Sequence, residues 1–238
     1  MRPYDPALPL ISIHIPKCAG SSLVDVLRHW FAGPRLRMHY RPAGTPSLHG
    51  ASDGLPPRHA LSAGMCVHGH FNGARGFGVW DYYPEASQFI TFVREPFDRF
   101  VSQWLHMHRR RKDGERVPEL DDEPSFDTWL HRRAEQQRKG CNSYSPVWFL
   151  PSPPGAEPAQ THFERDYVFV GVFERLAASM CGLAAALGQA QMELPHLNAT
   201  ARPAQDFEQW RVFFERHFAD ECALYQTACE HHLRQTGV

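Results

Sequence analysis

Lysine is nearly absent from this chain. Lys17, Lys112 and Lys139 are three of 25 basic residues, and the rest are arginine. A lysine kept at a strand-to-helix loop in so arginine-biased a chain marks a place where a compact ammonium is wanted. The six cysteines include no Cys-x-x-Cys pair, which argues against zinc. Cys222 and Cys229, on one expected helix face, read as buried thiols. No apolar run reaches the roughly 18–20 residues of a membrane span, and the opening Met1-Arg2-Pro3-Tyr4-Asp5-Pro6 lacks an apolar signal region. A net charge of −1 gives no general case for nucleic-acid binding. There is no internal repeat and no sign of a second domain. The 238 residues, 42% hydrophobic and 21% charged, read as one packed domain over 1–238.

What is present is concentrated in Ile11-Ser12-Ile13-His14-Ile15-Pro16-Lys17-Cys18-Ala19-Gly20-Ser21-Ser22-Leu23. Ile11, Ile13 and Ile15 have the β-branched density of a buried strand, and Pro16 ends it. Gly20 permits close backbone approach. Ser21 and Ser22 are expected to cap a helix over about 21–32, where Leu23, Val24, Leu27, Trp30 and Phe31 fall at helical spacing. A helix N-terminus with Lys17 at its mouth suits a phosphate. The order is not that of a Walker A loop, in which lysine follows the second glycine. Here lysine comes first.

Residues 33–60 are rich in Gly and Pro and read as a long loop without regular structure. Met65 to Val67 read as a second strand. His68 and His70 follow it on one side of an extended backbone, where open α/β sheets hold ligands. They are either packing histidines or a base with its partner; a metal pair lacks a clear third ligand. Residues 71–87 read as an aromatic loop or short helix. A buried strand from Phe89 ends at Arg94. Pro96 then opens a helix that buries Phe97, Phe100, Val101, Trp104 and Leu105. The arginine-rich runs His106–Lys112 and His131–Lys139 are either solvated helix faces or patches for an anion. Further on come a surface loop over 113–124, a helix over about 125–139 and a Pro-rich surface loop from Pro151 to Pro158. A strand from Asp166 then runs into a helix over about 174–188, and one or two amphipathic helices cover about 205–234.

These blocks resemble the carbohydrate sulfotransferases that use 3′-phosphoadenosine 5′-phosphosulfate (PAPS), most of all the heparan sulfate/uronyl 2-O-sulfotransferase-like branch. Ile-Pro-Lys-x-x-Gly-Ser-Ser-Leu at 15–23 resembles the family's 5′-phosphosulfate loop. Arg94 to Ser102 resembles Arg-(Asp/Glu)-Pro-x-x-Arg-x-x-Ser, in which the first Arg and the Ser hold the 3′-phosphate. His68-Gly69-His70 resembles the segment that carries the base. Val170 to Arg175 resembles Val-Gly-x-x-Glu-Arg. Leu194 to Thr200 resembles the segment before a nucleotide-contacting loop, which brings in Arg202. One segment departs: relatives show Asn-x-Gln-Thr-Arg where this chain has Asn142-Ser143-Tyr144-Ser145-Pro146.

The resemblance implies a three-layer α/β sandwich with a central, mainly parallel sheet and a P-loop-like nucleotide-binding fold. It implies transfer of a sulfuryl group from PAPS to a hydroxyl of a carbohydrate, glycoconjugate or other acceptor, leaving adenosine 3′,5′-bisphosphate (PAP). Cofactor contacts are implied at Lys17, Cys18, Ala19, Gly20, Ser21, Ser22, Arg94, Ser102 and Arg202. Lys17 and a histidine base are implied as catalytic: His70, with His68 as competitor or supporting partner. No metal is expected. Arg99 reads as held by a local carboxylate. Animal secretory relatives carry a membrane anchor before this domain, whereas this chain begins almost on its first strand, so a cytoplasmic, bacterial-type enzyme is expected. The rival readings are a P-loop kinase and a nucleotide-binding module without catalysis, for which the altered segment at Tyr144 to Pro146 leaves room.

Overall fold

Apolar segments at four points along the chain are buried from end to end, and this decides the architecture. The computed structural model describes residues 2–40, 55–151, 158–192 and 206–237. The chain begins with β1 (Leu10–Ile13), α1 (Gly20–Trp30), β2 (Leu36–His39), β3 (Cys66–Gly69), α2 (Val79–Tyr82), β4 (Phe89–Val93) and α3 (Pro96–Lys112). It continues through α4 (Phe126–Arg138), α5 (Ala159–Asp166), β5 (Tyr167–Val172), α6 (Leu176–Leu187), α7 (Arg211–His217) and α8 (Ala219–Thr236).

Every residue of β1, β3, β4 and β5 is buried. Strands covered on both faces need helices above and below, as parallel sheets require. The sheet runs β2-β3-β1-β4-β5, and each neighbouring pair is parallel. In the middle, Ile13 lies opposite Gly69 of β3 on one side and Thr91 of β4 on the other. The chain therefore leaves β3, β1 and β4 at one edge and at nearly one level. His70, His14 and Arg94 follow directly, at the carboxyl ends where such sheets bind ligands.

The main core surrounds the sheet. A second, aromatic core joins α3, α4 and α7 through Phe97, Phe100, Trp104, Phe126, Trp129 and Phe214. Inside it Arg99 pairs with Glu221 of α8 at 2.9 Å, both side chains being almost fully buried. The partner of Arg99 is thus a carboxylate but not the local one expected: it comes from the far end of the chain.

Several expectations are corrected. Residues 36–39 form an edge strand inside the stretch read as a loop, and α5 was not expected at all. Gly69 makes β2 possible, because a Cβ there would stand 2.0 Å from the His39 carbonyl oxygen. Ser21 and Ser22 do not cap α1: Ala19 holds the N-cap position in a left-handed conformation, with no side-chain cap bond. Tyr82 and Tyr83, from the aromatic segment, pack into the core. Cys222 and Cys229 are half-buried, unlinked thiols on α8.

Candidate active site

The loop from β1 to α1 is shaped by backbone strain. Lys17 (φ 70°) and Ala19 (φ 64°) both adopt left-handed conformations without being glycine, a costly arrangement usually kept for function. It turns the chain sharply into α1, where the Ser22 and Leu23 amides bond to the Ala19 carbonyl and the amides before them have no carbonyl one turn back. Because neither serine caps the helix, Ser21 and Ser22 keep their hydroxyls for a ligand, and both line a cleft of about 610 Å³. Cys18 does not reach it. Its side chain is 1% exposed, its amide bonds to the Ile15 carbonyl, and burial pushes its thiol up to about 12.

Three imidazoles and a phenol stand at the sheet edge. His70 donates Nδ1–H to the His14 carbonyl at 2.8 Å, which leaves Nε2 as the nitrogen able to accept a proton. The His14 ring stacks on His70 at 4.3 Å, and its Nδ1 meets the Tyr40 hydroxyl at 2.7 Å. Burial, with a smaller contribution from the charge of Arg75, lowers His70 to about 4. It is a neutral imidazole at physiological pH. His68 lies deeper, with no exposed surface. Its Nδ1 meets Ser12 Oγ at 2.8 Å, and burial lowers it to about 3. The two histidines share one side, as expected, each stacking on His14, but they differ in depth. His70 lines the cleft and His68 packs behind it.

The opposite wall is cationic. Arg94, just past β4, donates to the Lys17 carbonyl at 3.3 Å and lies over the Phe173 ring at 4.4 Å. Its Nε is buried and unpartnered. Ser102 and His106 extend this wall one helical turn apart on α3, with exposed Arg109 beyond them. Burial, followed by the charges of Arg109 and Arg94, lowers Lys17 to about 8. Burial, followed by Lys17 and Arg109, lowers His106 to about 4. Lys17, Arg75, Arg94, Arg109 and Arg110 all line the cleft, and among its described lining residues there is no carboxylate. Such a cleft favours a polyanion.

One cleft thus collects Lys17, Ala19, Gly20, Ser21, Ser22, His70, Arg94 and Ser102. Cys18 and His68 stay outside it, and Arg202 lies outside the described residues, as does the segment Leu194 to Thr200. The sequence reading missed His14, Tyr40, Asn72 and Arg75. It treated the basic run at 106–112 as either face or patch, and the run divides: His106, Arg109 and Arg110 line the cleft, Arg110 being paired with Glu115 at 2.8 Å, while Arg111 pairs with Glu123 at 2.8 Å on the surface. Among the described residues no group of three His, Cys, Asp or Glu side chains could hold a metal ion. None of their helices is long and apolar enough to cross a membrane.

Comparison with known proteins gives two findings. A model of the sulfotransferase family matches residues 4–202. Among solved structures, mouse sulfotransferase SULT7A1 complexed with PAP is similar over 90% of this chain, at 16% identity and a TM-score of 0.44. The present chain spans 63% of that chain. No curated protein sequence matches.

Proposed function

Because the chain belongs to the sulfotransferase family through residues 4–202, we propose that it transfers a sulfuryl group from PAPS to a hydroxyl of an acceptor, a carbohydrate or glycoconjugate by resemblance of its motifs. The observation that carries this reading is the bond from Arg94 to the Lys17 carbonyl across the cleft mouth. It ties a strand-end arginine, with Ser102 beyond it, to the loop that leads into α1. Two anion stations are thereby joined, as a nucleotide with phosphates at its 3′ and 5′ positions requires.

The residues divide the work. Arg94 and Ser102 hold the 3′-phosphate through guanidinium and hydroxyl donors. The amides at the start of α1, with Ser21 and Ser22, hold the 5′-phosphosulfate. His70 Nε2 takes the proton of the acceptor hydroxyl as that oxygen bonds to sulfur. Lys17 faces the phosphate oxygen that gains charge as its bond to sulfur breaks, and stabilises it there. Binding the far phosphate aligns the two reactants, so that nucleotide affinity is converted into orientation. PAPS supplies the activated sulfuryl group when bound. The cationic lining, free of carboxylates among described residues, fits that group.

The test is radiolabelled sulfuryl transfer from PAPS onto a panel of glycans, with wild type and His70→Ala. The variant is expected to keep its affinity for PAP and lose about 10²- to 10⁴-fold in turnover. Turnover that survives the substitution contradicts the assignment of the base.

A further inference from the structure

Beyond His70 the cleft wall is built from residues that the donor does not use. Asn72 is 1% exposed. Its Nδ2 donates to the Ser143 carbonyl at 2.8 Å, while its Oδ1 is buried without a partner. Arg75 donates from Nε to Ser143 Oγ at 3.1 Å, and its guanidinium lies over the Tyr144 ring at 4.7 Å. Arg133 lies against the same ring at 4.3 Å, and the Tyr144 hydroxyl donates to Glu119 at 2.9 Å.

The two arginines differ in one respect. Arg133 is buried and has Glu119 at 3.7 Å. Arg75 is half-buried and has a hydroxyl and an aromatic face as its partners, with no carboxylate among the described residues. A guanidinium supported in this way is held in place while its charge and its remaining N–H groups stay available. Next to it, an orphaned amide oxygen needs a donor. Asn72, Arg75 and Tyr144 line the same cleft as His70. Tyr144 stands in the segment that departs from the pattern of relatives, and here it forms the platform for an arginine from another part of the chain.

We infer that Asn72 and Arg75 form an acceptor subsite for a molecule bearing an anionic group and a neighbouring hydroxyl. Arg75 binds the anion, and Asn72 Oδ1 accepts the hydroxyl proton. This sets a second hydroxyl of the same acceptor near His70. The inference rests on the sulfuryl-transfer reading for its cosubstrate, but the anion station itself is independent of it.

The experiment is calorimetric titration of protein saturated with PAP, so that the donor-side cations are already engaged. The probes are p-nitrophenyl β-D-glucuronide and the matched β-D-glucoside, which differ in one carboxylate. Wild type is expected to bind the glucuronide about 10-fold tighter or more, as a charge-assisted bidentate contact implies. In Arg75→Gln the ratio falls to near one. In Tyr144→Leu, which keeps the arginine and removes its platform, it falls part of the way. Retained PAP affinity shows that each variant is folded. Equal binding of the two glycosides by wild type overturns the inference, as does binding of neither, or a preference that survives Arg75→Gln. If PAP itself does not bind, the sulfuryl-transfer reading fails. The same titrations without nucleotide then still decide the anion station by the same criteria.

Discussion

His14 and His70 meet twice. His70 donates to the His14 carbonyl at 2.8 Å, and the two rings stack at 4.3 Å, 25° from parallel. The first contact selects the tautomer and the second fixes the ring plane. Both follow from the sheet, because pairing Ile13 with Gly69 puts the next residues, His14 and His70, at one level. The proposed base is thus positioned by strand register rather than by a loop, which is the more rigid support.

The pH profile of kcat/KM follows from two groups. Below about 4 His70 is protonated and cannot accept a proton. Above about 8 Lys17 loses the charge proposed to face the leaving phosphate. Activity is expected to be flat between about 5 and 7.5 and to fall on the alkaline side. Lys17→Arg, which keeps its charge, is expected to remove the alkaline limb at a lower kcat. An acid limb centred near 6.5, the ordinary value for histidine, would assign the base to an exposed imidazole instead.

Gly20→Ala tests the contact between the phosphate loop and the histidine stack. A Cβ at Gly20 would stand 2.0 Å from His14 Cδ2. The ring cannot easily swing away, because Tyr40 bonds its Nδ1 and His70 lies against its face. Alanine in a helix normally gains up to about 1 kcal/mol over glycine. Here a net loss of about 1–2 kcal/mol is expected from overpacking, with a larger loss of turnover as His70 shifts. Denaturant unfolding checks the sign; a stabilised variant would mean that the ring is free to move.

Acid stability is governed by buried imidazoles. Burial lowers His39, His70 and His231 to about 4 and His68 to about 3, and it holds His14 and His232 below the usual value. Between these values and the unfolded value of about 6.5, the unfolded chain binds protons that the folded chain does not. Stability therefore rises with pH through this window, is complete above about 6.5 and is lost as pH falls toward 4. Unfolding followed by fluorescence is expected to show a steep fall in midpoint from pH 6.5 to 4.5. A midpoint independent of pH there would contradict the burial of these rings.

Much of this was legible in the sequence, for physical reasons. The Ile-rich strand, the lysine-first loop, Arg94 and Ser102 each depend on local chemistry, and local chemistry is what a sequence displays. The edge strand β2 was not legible, because Leu36-Arg37-Met38-His39 is short, contains an arginine and lies between Gly- and Pro-rich stretches; only its pairing with β3 makes it a strand. The N-cap of α1 was misread because two strained residues, Lys17 and Ala19, replace the expected serine cap. Spacing gave His68 and His70 equal standing, and the Ser12 hydroxyl opposite His68 separates them. Arg75 carried no signal, since its partners Ser143 and Tyr144 lie about seventy residues away.

Arg99 separates support from ligand binding. Its partner Glu221 is fully buried, and burial raises that carboxyl above its ordinary value even against the opposing pull of Arg99. Removing one member leaves an uncompensated buried group, so Arg99→Ala is expected to cost about 3–5 kcal/mol. The double substitution Arg99→Met, Glu221→Leu is expected to recover most of that loss. Denaturant melts of the three variants decide it, and a single variant as stable as wild type would remove this pair from the core.

The most direct measurement is calorimetric titration with PAP, beside ADP, on wild type and Arg94→Ala. A site joining Lys17, the start of α1, Arg94 and Ser102 predicts that wild type binds PAP and discriminates strongly against ADP, which lacks the 3′-phosphate. It also predicts that Arg94→Ala loses most of the PAP affinity. Equal binding of PAP and ADP, or binding of neither, would contradict sulfuryl transfer as the function of this cleft.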